Sequence, residues 1–386
     1  MKLIDRLKEY FNKEEDVEVI EEESVYEKII KELEYYQEEI MPEVEELKGH
    51  THFLKTETED KILKWIEEDP SCLTVLNKYK ENLGMFAVTC GLDRVVLRCL
   101  DDEVASTQQD DISGLNIGMH SANYLLEECV LKALDNPVAS IQKSNCGMNI
   151  GMISVINGLE NCVMKALDNH EASLQQDKDG FNMGMYCAMY ELEDVTLKAL
   201  DNKEASIQQD NNGSIIGIHA ADKLLERAVL KALDNREASL IQDEMGYNIG
   251  MTAAINHLEE ATLKALDNTE ASIQQNRFGD NIGLLSAMSK MERATFKALD
   301  NPIASVQYDR YGRNIGMYAA DRGFESCALK ALEYSEAREQ YDFQGKSICF
   351  YAERKGLSKV VERCKELDAN SEFNEILQSD DDCELF

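Results

Sequence analysis

The triplet Leu-Asp-Asn stands at Leu134, Leu167, Leu200, Leu233, Leu266 and Leu299, each occurrence 33 residues after the last. A second marker keeps the same interval: Gly118, Gly151, Gly184, Gly217, Gly250, Gly283 and Gly316, each followed by Met, Ile or Leu. A chain that repeats itself at this spacing builds no single conventional core. Each repeat is one supersecondary unit that covers its apolar face with the next. The expected fold class is therefore all-α, a solenoid of about nine helix-turn-helix units with hairpin loops, plus a short helical N-terminal region.

The units begin at Asn82-Leu83-Gly84-Met85. Gly84 and Gly118 are 34 residues apart, which puts one inserted residue around Asp110–Ser113. Seven intervals of 33 then lead to Cys349, which replaces the glycine in a final degenerate unit, Ser347-Ile348-Cys349-Phe350. Within a unit, Asn149, Asn182, Asn248, Asn281, Asn314 and Ser347 sit where a helix N-cap belongs. A first helix of about nine residues carries a small residue two positions after the Met (Ser154, Ala253, Ala319). A turn with Leu192, Leu258 or Phe324 leads to a second helix, apolar at Leu197, Ala199 and Leu200. That helix is expected to end at Leu-Asp-Asn with the Asn in a left-handed conformation. An extended Ala-Ser-Ile-Gln-Gln stretch then reaches a glycine turn at Gly180, Gly213, Gly246, Gly279, Gly312 or Gly345.

Around this array the sequence divides into an acidic helical N-terminal region expected to be partly disordered (1–57), the repeats (58–368) and an acidic C-terminal tail (369–386). In the first region, Met1–Phe11 has Leu3, Ile4, Leu7, Tyr10 and Phe11 on one helical face, and Val25–Glu39 is helical in pattern. Lys61–Glu67, with the only tryptophan, Trp65, reads as the outer helix of a capping unit. The closing helix spans about Ser358–Leu367, and Phe373, Ile376 and Leu377 allow a short helix in the tail.

Net charge is −34, from 40 Lys+Arg against 74 Asp+Glu. Such a field disfavours nucleic acid and anionic membrane and attracts basic partners. The eleven cysteines show no paired spacing. Cys129, Cys162 and Cys327 share one register and read as small core residues of a reducing compartment. No signal-type apolar core and no run of about 18 apolar residues is present. The expected location is the cytoplasm, or a host cell reached by another route.

The residues Asp309-x-x-Gly312-x-Asn314-x-x-x-Tyr318-Ala319-Ala320-x-x-Gly323 resemble the ankyrin repeat, and the likeness covers roughly Lys61 to Leu367. The family's Thr-Pro-Leu-His becomes Asn-Ile-Gly-Met here, which keeps a cap but loses the His that the family uses between repeats. The helix–helix turn is one residue shorter and the second helix one longer. The resemblance implies protein binding on the concave face of the inner helices and on the hairpin tips. Mapped onto this chain, the candidate contacts after Gly-Met are Phe86, His120, Tyr186, His219, Tyr318 and Tyr351, a position that varies while its neighbours hold constant. Tyr124 and Tyr190 follow at the helix ends, and Tyr247, Phe278 and Tyr311 at the tips. Aromatic residues with interspersed charge suit binding hot spots.

No catalytic site is expected, since no serine or cysteine has His and acid partners in register. No phosphate loop occurs either. His50-Thr51-His52 lacks further ligands for a metal, so no metal and no cofactor is expected. Val17–Glu23 resembles a SUMO-interaction motif, in which a strand adds to a sheet edge. The function expected is that of a non-catalytic, monomeric interaction module for a protein with a basic surface. The alternatives are an inhibitor or immunity protein capping a basic enzyme such as a nuclease, and an effector acting in a host cell.

Overall fold

A computed structural model describes residues 24–41 and 51–381. The expectations for Met1–Phe11, Val17–Glu23 and the His50/His52 pair lie outside the residues so described, the side chain of His52 included. The chain divides into two compact units, Met1–Gln108 and Gln109–Phe386. The division falls beside the one-residue insertion at Asp110–Ser113.

In the first unit, Ser24 and Glu27 form a reciprocal capping box that starts the helix Val25–Tyr35. Its buried face, Ile29 and Leu33, shares this unit's core with Ile62 and Ile66 of the long helix Thr51–Glu68. Arg94 reaches back to Asp60 at 2.6 Å. One repeat follows, with helices Leu83–Thr89, Asp93–Leu100 and Glu103–Thr107.

The second unit carries eight more repeats among the described residues, so nine first helices are present in all, as the spacing requires. The described residues contain no strand, only isolated bridges at Gln176–Asn182 and Tyr308–Asn314. The fold is all-α and of repeat type. None of the described helices is long and apolar enough to cross a membrane.

The repeat at Asn149 shows how each sequence position is used. Asn149 Oδ1 accepts the Met152 N–H at 3.0 Å and starts the helix Ile150–Ile156. Its Nδ2 donates to the Ala172 carbonyl and to Gln175 Oε1. Gln175 in turn donates to the Ile141 carbonyl of the preceding repeat. Gly151 has no side chain for a packing reason: a Cβ there would stand 2.3 Å from Met183 Cε and 2.9 Å from Ala166 Cβ. The first helix is therefore able to lie directly on its neighbour. Lys165 of the second helix Glu160–Ala166 crosses to the Leu131 carbonyl at 2.8 Å and to Asp135 at 2.6 Å. A cation is thereby placed at the negative end of the previous second helix.

Two expectations about the unit are corrected here. The Asn of Leu-Asp-Asn is not left-handed: Asn169 has φ −85° and ψ 105° and caps a third short helix, His170–Leu174. The Ala-Ser-x-Gln stretch belongs to that helix and its exit rather than to an extended segment. Asn169 also donates to Ser140 Oγ of the preceding third helix, which gives it a second role. Left-handed backbone occurs instead between the first and second helices, at Leu125, Glu191, Leu224, His257 and Lys290, in the register held by Gly158 and Gly323 elsewhere.

The array closes with helix Ile348–Lys355 and a final helix whose backbone runs from Ser358 to Asp381, beyond the expected end at Leu367. Cys349 and Cys364 form a disulfide between them. The cysteine spacing gave no sign of this pair, because each stands alone in its own helix. Cys129, Cys162 and Cys327 are buried free thiols, as their register implies.

Candidate interaction surface

The loops are organised by a carboxylate or carboxamide, except at Ser144, where a hydroxyl accepts the Met148 N–H. Asp177 Oδ1 accepts the N–H groups of Asp179 and Phe181, and Asp309 Oδ1 those of Tyr311 and Arg313. Asn276 does the same for Phe278 and Asp280. The other carboxylate oxygen points at the first helix. There it accepts a hydrogen bond of 2.6 Å from the hydroxyl of Tyr186 (to Asp177), Tyr318 (to Asp309) or Tyr351 (to Asp342). His120 Nε2 lies 3.1 Å from Asp110 Oδ2, and His219 Nε2 lies 2.9 Å from Asp210 Oδ2.

This geometry turns the variable position after Gly-Met toward its own loop. Tyr186, Tyr318 and Tyr351 are buried, Tyr351 completely (0 % exposed). Their rings brace the loop from inside, and their hydroxyls are spent on its aspartate. His120 and His219 are half-buried in the same bond, and Phe86 is half-buried. The position varies with its loop. Where it is Ile153, Leu285 or Phe86, the loop residue is Ser144, Asn276 or Asn77. Only Thr252 keeps an aspartate, Asp243, without a donor that reaches it, since its hydroxyl goes to the Asn248 carbonyl.

The electrostatics follow from this pairing. Burial and the hydrogen bond to Asp342 push the Tyr351 hydroxyl up to about 12. Burial and Asp309 likewise hold Tyr318 well above its ordinary value. Burial alone raises the Asp110 carboxyl. Donation from Ser113, Leu115 and His120 outweighs it and brings the group down to about 2.

What reaches solvent is a different set. Tyr124 and Tyr190, at the ends of first helices, are 50 % and 45 % exposed. Ile156 and Ile255 extend the same edge, as do Leu125 and Leu224, which the sequence reading did not single out. At the loop tips Tyr311 is exposed, while Tyr247 and Phe278 are half-buried. The structure adds Tyr308, Tyr341 and Phe343 to the tips, all exposed. Their signal was in the sequence. Tyr308 and Tyr341 replace the second Gln of the repeat, which elsewhere bridges two loops, as Gln176 does to the Gly180 and Gln209 carbonyls.

The sequence matches no protein-family model, and no curated protein matches it.

Proposed function

We propose that this chain is a non-catalytic protein-interaction module of ankyrin-like repeats, which binds a partner with a basic surface through the exposed ends of its first helices and its loop tips. One observation carries this reading. The residues that join one repeat to the next are nearly constant, whereas the two positions at the first-helix ends change from repeat to repeat and place Tyr124, Ile156, Tyr190 and Ile255 in water. A framework built to be regular needs no such side chains in water. Kinship with ankyrin repeats is supported by the period, the helix order and the Asp-x-x-Gly loop. The third short helix is this chain's own variation. The acidic field favours a basic partner and speeds its approach. The cytoplasm, or the interior of a host cell, suits the buried free thiols, while the Cys349–Cys364 disulfide counts the other way.

The phosphate-mimic reading, an inhibitor of a basic nuclease, has less support. The evenly spaced carboxylates Asp135, Asp168, Asp201, Asp234, Asp267 and Asp300 are its natural candidates. Each is matched by a lysine of the next repeat at 2.5–2.6 Å. A neutralised row is a poor imitation of nucleic acid.

The test is a comparative capture from lysate of the source organism. The intact chain is set against a Tyr124→Ser/Tyr190→Ser variant, with washes at low and high salt. Basic proteins held by the first and lost by the second are the expected result. An identical captured set from both chains sinks the proposed surface.

A further inference from the structure

The loop tips change character along the second unit. Early tips carry Asp179, Asn211, Asn212 and Glu244, whereas the later ones carry Arg277, Phe278, Arg310, Tyr311 and Phe343. The Arg310 guanidinium carbon sits 5.0 Å from the ring centre of Phe278 and 4.9 Å from that of Tyr311. Tyr308 and Phe343 meet edge to face at 6.4 Å, and Phe343 is 73 % exposed. The backbone fixes this spacing, since Arg310 N–H donates to the Phe278 carbonyl and Phe343 N–H to the Tyr311 carbonyl.

Many cations of the array are paired: the second-helix lysines from Lys165 to Lys330 and Arg227, Arg236 and Arg293 stand in ion pairs. Arg310 makes no ion pair among the described residues and is exposed; two rings lie beside it, and the Asp280 carboxylate is within electrostatic range. A cleft of about 250 Å³ opens nearby, lined by Tyr311, Arg313, Tyr318, Asp342, Phe343 and Gln344. Arg313 lies over the rings of Tyr318 and Tyr351, and its buried Nε makes no hydrogen bond. Arg313 forms an ion pair with Asp342 at 3.7 Å, and the same carboxylate oxygen accepts from Tyr351.

We infer that these tips form a docking site for an acidic, apolar-containing peptide segment of a partner protein, with a carboxylate of the segment reaching Arg310 and its apolar side chains lying on Tyr308, Tyr311 and Phe343. Charge complementarity selects this segment. In a chain of net charge −34, an arginine without an ion pair and set between two aromatic rings is suited to accept an anion at contact range. Lys290 and Arg322, also exposed and outside ion pairs among the described residues, have no ring beside them. This inference rests on the reading of the array as a binding module and names the partner chemistry of one part of it.

The experiment measures fluorescence anisotropy of short labelled peptides of alternating Glu and Leu, with Gln–Leu and Lys–Leu peptides alongside, against the full chain. The Glu–Leu peptide is expected to bind more tightly than the Gln–Leu peptide. Arg310→Glu is expected to weaken it by about tenfold or more, as loss of a charge-assisted contact would. Phe343→Ser, at an exposed site that leaves folding intact, is expected to weaken both peptides. The Lys–Leu peptide meets the acidic surface generally, and its binding is expected to survive Arg310→Glu. Failure of the Glu–Leu peptide to bind, or binding indifferent to Arg310→Glu in a chain with unchanged melting temperature, overturns the assignment. If that happens while Tyr124 and Tyr190 still govern lysate capture, only the tip site falls. If the peptide result holds and capture fails, the basic-partner reading falls alone.

Discussion

A tyrosine that varies from repeat to repeat in a constant frame invites a binding role, and here it serves as a strut. Tyr318 is 8 % exposed, and its hydroxyl donates to a buried carboxylate that already organises a loop turn. Removing the hydroxyl leaves Asp309 Oδ2 without that donor, and hydrogen bonds to charged groups are worth about 1.5–3 kcal/mol. Tyr318→Phe and Tyr186→Phe are each expected to lower the unfolding free energy by about 1–3 kcal/mol in urea denaturation, with partner affinity unchanged. A contact residue gives the opposite pattern, so affinity lost at constant stability would return these positions to the binding surface. The sequence displayed the variation at this position plainly. The cause was legible only by reading nine residues upstream (ten for His120), where Asp accompanies Tyr, His or Thr and Ser or Asn accompanies Ile, Leu or Phe. Variation that is matched inside the chain answers to an internal partner.

The elements were legible to different degrees for an equally physical reason. First and second helices announce themselves through caps and apolar period, whereas the third helix is five residues long and has little period to show. Its signal was the cap. Pro137 and Pro302 directly follow Asn136 and Asn301, the arrangement of an N-cap followed by proline at the first helical position. The joint between first and third helices also contains a natural exchange. At Asn182 and Gln208 the two carboxamides bond at 2.9 Å, yet in the next repeat the corresponding residues are Ile215 and Ile241. A polar pair has been replaced as a unit by an apolar one, which avoids leaving either member unsatisfied. The short helix there tightens to a 3₁₀ turn, Ala238–Leu240. Ile215→Asn and Ile241→Gln are each expected to destabilise the chain. The double variant should recover part of the loss, with a coupling energy of about 1–2 kcal/mol in a double-mutant cycle. Strict additivity would show that the two sites do not share one joint.

At the level of the molecule, the joining contacts recur at the repeat interval, and this makes a whole repeat removable. Lys297 bonds the Leu263 carbonyl as Lys264 bonds the Leu230 carbonyl, and Gln307 bonds Ile273 as Gln274 bonds Leu240. Excision of residues 252–284 joins Met251 to Leu285 within a first helix and leaves each of these donors facing the acceptor its predecessor had. Excision of 252–283 differs by one residue, yet it rotates everything beyond the junction by about 100° around the helix axis. Such a turn brings the wrong face to the neighbouring repeat, and the loop donors lose their acceptors. In a linear array stability is approximately a sum of unit and neighbour terms. The in-phase excision is therefore expected to keep helicity per residue and a well-defined urea transition, with an m-value reduced in proportion to the surface removed. The out-of-phase excision should unfold at a lower midpoint with a broadened transition. Two chains that melt alike would mean the repeats tolerate a slipped register, and the lysine and glutamine contacts would then not be what holds one repeat to the next.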